Sequence, residues 1–149
     1  MAHTLIEDVY ETEAPADAVW RVLMDFDRWT TWNTLAARAP AGPEVGAPLR
    51  LWLKTGVGPG LFLPARFDQV ERSRFLVWKG GVPGLFHARH GFDLVPLDSG
   101  GTRIRHHETF SGMLHAPVVR ALGDRQVRTY RRVNERLAAA ALSLDEPLA

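Results

Sequence analysis

Apolar and polar residues alternate every second position at the start of the chain, then every third or fourth, then every second again. Over 4–13, Ile6, Tyr10 and Thr12 share one face of an extended strand with Asp8. Ala14-Pro15-Ala16-Asp17 then changes the period. Pro15 suits the first position of a helix, and Asp17 suits its positively polarised first turn. Val19, Val22, Leu23 and Phe26 recur at i, i+3, i+4 and i+7, the buried stripe of a short amphipathic helix. A second short helix is predicted over 26–33, carrying Trp29 and Trp32.

Strands are predicted at 47–55, 63–71 and 74–79, with Leu49, Leu51 and Leu53 alternating with Arg50, Trp52 and Lys54. Residues 85–97 and 101–111 read as a hairpin closed by Asp98-Ser99-Gly100-Gly101. Gly and Pro cluster at 40–48, 56–64 and 80–84, which is hairpin punctuation rather than a linker. From 116 to 142 the period returns to that of a helix, with Val119, Leu122, Tyr130, Val133 and Leu137 on its apolar side. Arg120 with Asp124 and Arg131 with Glu135 are spaced as i,i+4 pairs on the solvated side. Gly123 interrupts this helix at a local cost of about 1 kcal/mol relative to Ala. The order predicts one α+β domain over 1–149: a curved antiparallel sheet of about six strands around a long C-terminal helix, with two short helices after the first strand. A cavity between sheet and helix fits this arrangement.

Composition narrows the function. The chain has 149 residues, 46% hydrophobic and 23% charged, enough to bury one core without staples. A net charge of +1 gives no electrostatic reason for nucleic acid or an anionic membrane as partner. There is no cysteine, which excludes disulfides, thiolate nucleophiles and cysteine-ligated metals. The first residues lack a basic region followed by an apolar core, and no apolar run approaches the roughly 20 residues of a membrane span, so a cytoplasmic location is expected. No G-x-S-x-G elbow, P-loop or H-E-x-x-H motif is present, and no cofactor is implied.

Ala14-Pro15, Val19-Trp20, Asp25 and Trp32-Asn33 resemble the opening of the SRPBCC superfamily, the START-related helix-grip proteins that include the polyketide cyclase/dehydrase branch. The resemblance continues in Leu76-Val77-Trp78-Lys79-Gly80 and Pro83-Gly84-Leu85-Phe86. It runs on through His90-Gly91-Phe92-Asp93-Leu94-Val95-Pro96, Gly100-Gly101-Thr102-Arg103 and His106-His107-Glu108-Thr109-Phe110-Ser111-Gly112. It implies a deep hydrophobic cavity, with Trp29 and Trp32 on the helix that closes its mouth. Asp8, Tyr10 and the bulk of Trp29 depart from what the resemblance leads one to expect. They imply a cavity with its own shape and polarity. Members of the superfamily include carriers, receptors, cyclases and co-chaperone-like proteins, so the resemblance implies no particular reaction.

The candidate chemistry lies on the last hairpin. Phe86, Ala88, His90, Phe92 and Leu94 share one face, as do Ile104, His106, Glu108 and Phe110 of its partner, whereas Arg89, Asp93, Arg103 and Arg105 face the other way. An apolar wall therefore carries two imidazoles and a carboxylate within one or two cross-strand steps. Three readings stay open: the groups satisfy one another, they orient the polar end of a ligand, or they exchange protons with it. Two histidines and a carboxylate are also a known metal-ligand set, but neighbouring strands offer poor coordination geometry, and no metal is expected. The favoured function is binding of a small hydrophobic molecule, lipid-like, aromatic or polyketide-like, with Tyr10, Trp29, Trp52, His90, Phe92, His106, Glu108, Phe110, Gln126 and Tyr130 as candidate contacts. The rivals are a cyclase or dehydratase using His106, Glu108 or His90, and a protein-interaction module.

Overall fold

A computed structural model describes residues 3–54, 56, 58 and 60–144. Seven strands form one antiparallel sheet: β1 (His3–Thr12), β2 (Leu35–Arg38), β3 (Pro48–Leu53), β4 (Leu61–Glu71), β5 (Phe75–Val82), β6 (Phe86–Pro96) and β7 (Thr102–Ser111). Their spatial order is β1-β7-β6-β5-β4-β3-β2. The first and last parts of the chain thus meet, with β1 beside β7, and β2 closes the far edge. Three helices complete the fold: α1 (Ala16–Met24), a 3-10 helix (Phe26–Thr31) and the long α2 (His115–Leu144). The helix-grip expectation holds.

Several boundaries differ from the sequence reading. The seventh strand is β2, only four residues long, too short to show an alternation of its own. The second short helix is 3-10 and ends at Thr31. Pro15 stands at the cap of α1 rather than its first turn, its carbonyl accepting from the Ala18 and Val19 amides at 3.0 and 3.2 Å. Residue 55, the end of one expected strand, lies outside the described residues, as do 57 and 59 of the glycine-rich segment.

The core forms where α1 and α2 cover the inner face of the sheet. In α2, Tyr130, Val133, Asn134, Leu137, Ala138 and Ala141 are buried, one continuous stripe of helical period. All of them follow Gly123. The first half of the helix buries no side chain fully; Val119 and Leu122 are only partly buried against the cluster of Ile6, Phe110 and Tyr130. Gly123 itself has φ 51° and ψ −149°, a conformation essentially reserved for glycine, so α2 kinks where the sequence showed only an interruption. Of the two expected i,i+4 pairs, Arg131 turns instead to the sheet: its Nε donates to Asp8 Oδ1 at 3.0 Å and its guanidinium to the Val9 carbonyl at 3.1 Å.

Candidate functional site

Strand register builds the site. On the inner face His90 of β6 lies directly opposite Glu108 of β7, and Phe92 opposite His106. Gly91 between them allows β5 to approach: a Cβ there would fall 2.5 Å from the Leu76 carbonyl oxygen. His90 Nε2 and His106 Nε2 are 2.7 Å apart with ring planes 13° from parallel. His90 Nδ1 is 3.6 Å from Glu108 Oε2. From α2, the Tyr130 hydroxyl donates to Glu108 Oε1. Gln126, one turn earlier, lies near the same carboxylate–phenol pair and lowers the titration of both groups. Aromatic rings enclose the cluster: Phe92 and Tyr130 lie 4.3 and 4.0 Å from the His106 ring centroid, and Trp78 lies 4.7 Å from His90.

Burial governs the protonation of these groups. It pushes the Glu108 carboxyl up to about 7, although the hydrogen bond from Tyr130 and the nearby Gln126 pull the other way. It pushes His90 down to about 3, helped by the nearby His107, and drives His106 well below the ordinary imidazole range, helped by His90 and His107. Burial and the facing carboxylate raise Tyr130, which stays a hydroxyl donor. Both histidines are therefore neutral near pH 7 while Glu108 is divided between its two forms. The remaining ring nitrogen, His106 Nδ1, is buried and has no hydrogen-bond partner of ordinary geometry, although the Tyr130 backbone lies near enough to the ring to oppose its downward shift. Asn134 Oδ1 is also buried without a partner, and its amide nitrogen donates to Asp8 Oδ2 at 3.0 Å; Asp8 is the register partner of His106 on β1.

Six of the ten candidate contacts come together: Phe92, His90, His106, Glu108, Gln126 and Tyr130. Phe110 joins Tyr130 and Ile6 in the adjoining apolar cluster. Tyr10 sits apart, 5.4 Å beneath the Arg131 guanidinium. Trp29 is fully buried behind Trp78, its indole N–H donating to the Leu23 carbonyl at 2.9 Å, so it packs the core and reaches the cluster only through Trp78. Trp52 is not brought to the cluster: period-two alternation puts it with Arg50 on the outer face, where it packs on Phe62 at 5.3 Å. Trp78 and Asn134 were not among the ten candidate contacts. The signal for Asn134 was there, a polar residue four positions after Tyr130 and three before Leu137 on the same helical stripe.

Two hollows are prominent, and neither is lined by His90, His106 or Glu108. An open groove of about 980 Å³ runs over the outer face beside Arg50, Phe62, Arg66, Lys79 and Arg89. A cleft of about 820 Å³ lies between α1, the 3-10 helix and the end of α2. Among the described residues no three His, Asp or Glu side chains gather as metal ligands, and no helix is long and apolar enough to cross a membrane.

Residues 4–142 match the family described as polyketide cyclase / dehydrase and lipid transport. The chain belongs to that family. By sequence, no curated protein matches it. Among solved structures it is similar to protein MLL2253 from Mesorhizobium loti, with TM-score 0.72 and 20% identity over 97% of this chain and 100% of that one. It is similar to Ara h 8.0201, with TM-score 0.70 and 13% identity over 95% of this chain and 99% of that one. It is also similar to the Zhui aromatase/cyclase from Streptomyces sp. R1128, with TM-score 0.65 and 16% identity over 96% and 93%. At these identities the likeness is one of fold, and it agrees with the SRPBCC resemblance of the sequence.

Proposed function

We propose that this family member binds a small, mostly apolar molecule between the sheet and the first half of α2, its polar end held by His106, His90 and Glu108. One observation carries the reading: two hydrogen-bonded imidazoles and a carboxylate facing one of them are set in an aromatic wall, with a buried imidazole nitrogen left over. Burying such groups costs free energy unless each finds a partner, so a leftover nitrogen asks for one. The family description, with its cyclases and lipid carriers, supports the same ligand class. Entry would use the weakly packed half of α2 before Gly123, since both prominent hollows lie elsewhere. The aromatic lining would supply affinity of about 25 cal/mol per Å² of apolar surface buried, before ordering costs.

Native mass spectrometry of gently purified protein, with the denatured mass as reference, tests this. A discrete excess mass that disappears in His106→Ala is expected. A bare chain that stays bare after exposure to lipids and aromatic compounds would overturn it.

The position of Glu108 near 7 supports a second reading, acid–base turnover of the bound molecule. Product formation that follows the Glu108 titration and is lost in His106→Ala distinguishes an enzyme from a carrier.

A further inference from the structure

Two neutral imidazoles joined Nε2 to Nε2 cannot hold the same tautomer. One ring must carry its proton on Nε2 and the other must leave Nε2 bare. Because each neutral ring has one proton, whatever is demanded of His90 Nδ1 fixes the state of His106 Nδ1 at the far end. Glu108 makes that demand, through the Oε2 that faces His90 Nδ1. Its other oxygen is occupied by the Tyr130 hydroxyl.

We infer that His90 and His106 form a proton relay in which Glu108 sets whether the buried His106 Nδ1 donates or accepts. The inference deepens the proposed ligand site by naming the atom that meets the ligand. With Glu108 protonated, its O–H faces His90 Nδ1, His90 donates from Nε2 to His106 Nε2, and His106 carries its proton on Nδ1. If that Nδ1 proton is given to a ligand oxygen, the His90 Nε2 proton moves to His106 Nε2 and the Glu108 proton moves to His90 Nδ1. One proton leaves, three N–H or O–H bonds break, two re-form within the relay and one forms on the ligand. The negative charge appears on Glu108, and neither ring becomes a cation. The reverse sequence takes a proton from a ligand hydroxyl. The site thus presents a donor to a carbonyl oxygen and an acceptor to a hydroxyl with no larger motion than closing the 3.6 Å between Glu108 Oε2 and His90 Nδ1.

The charged and titratable groups around the relay come from every element packed on it. Asp8 flanks His106 from β1, with Arg131 of α2 paired to it at 3.0 Å; Tyr130 closes the helix side, and His107 acts from the opposite face of β7. Arg131 is already engaged by Asp8 and the Val9 carbonyl, so Glu108 is the group left to decide the tautomer.

Nitrogen-15 NMR of histidine-labelled full-length protein, without ligand, reads the tautomers directly. Between pH 5 and 9 the protonated and bare resonances of His106 are expected to change places between Nδ1 and Nε2, with His90 switching at the same midpoint. Glu108→Gln should abolish the pH response. Tyr130→Phe should keep it and move the midpoint upward, and this variant serves if Glu108→Gln does not fold. A His106 held in one tautomer throughout, a switch that survives Glu108→Gln in folded protein, or resonances showing both His106 nitrogens protonated would each overturn the relay. The experiment needs no ligand, so a ligand-free chain with an intact switch would defeat the binding proposal alone.

Discussion

His106 and His107 are consecutive on β7, and both are buried, with relative exposures of 2% and 3%. The pleat sends them to opposite faces, and each meets a different partner on β6. His107 Nε2 meets the Asp93 carboxylate at 2.9 Å, and Asp93 also takes the Arg105 guanidinium at 3.0 Å, while Arg105 bridges on to Glu7. His106 meets another imidazole and two aromatic rings. The outcomes for the two carboxylates are opposite. Burial raises Asp93, but the bonds from His107 and Arg105 outweigh it and leave that carboxyl below its ordinary range. Among the described residues no Lys or Arg pairs with Glu108, and burial wins there. Two differences push the carboxyls apart: Glu108 is the more deeply buried, with 12% of its side chain exposed against 21% for Asp93, and of the two only Asp93 is paired with Arg105 on its own face.

The two faces can be separated by mutation. The largest effect is expected from Phe92→Ala, which removes a fully buried ring from the wall beneath His106 and should cost about 3–5 kcal/mol in denaturant unfolding. A cost below about 1 kcal/mol would mean that the inner wall is loosely packed.

Next comes the pH dependence, where the faces should differ in sign. Glu108 has a folded pKa above its unfolded one, so its contribution is intact below about pH 4.5 and stability is lost as pH rises toward about 7. Glu108→Gln should therefore gain relative to the parent across that window, by about 3 kcal/mol at pH 8 compared with pH 4.5. Asp93 has a depressed folded pKa, so its stabilisation is present above the unfolded value and lost as pH falls through the folded one. Asp93→Asn should lose at neutral pH, and the difference should fade in acid. Urea melts at several pH values check both, and equal slopes for the two variants would remove the contrast between faces.

Tyr130→Phe should cost about 1–2 kcal/mol, because Glu108 loses a buried donor, and should raise the Glu108 titration further when followed by carboxyl NMR. The smallest change is expected from Arg105→Ala on the outer face. Its side chain is 37% exposed, and its ion pairs are screened by solvent, so a loss under about 1 kcal/mol that shrinks in salt is the expected result.

Sequence by itself determined the layout of the fold, because the period of burial changes where the elements change: two along Ile6 to Thr12, between three and four along Val19 to Phe26, two again through the last hairpin. Alternation also put His90 on the apolar face of its strand and His106 with Glu108 on that of the partner, whereas the register that sets His90 opposite Glu108 belongs to the assembled sheet. Tertiary structure alone decided the rest. The four residues of β2 become a strand only because β3 offers its edge. Arg131 leaves the helix surface for Asp8, which lies 123 positions away, and no local spacing can signal such a partner. Trp52 was sent outward with Phe62, and Trp29 was sealed behind Trp78, because only the assembled sheet and helices say which aromatic surface is already covered. The protonation of Glu108 belongs to the same class: the sequence supplies the carboxyl, but exclusion of water and the lack of a paired Lys or Arg among the described residues depend on which side chains the fold brings around it.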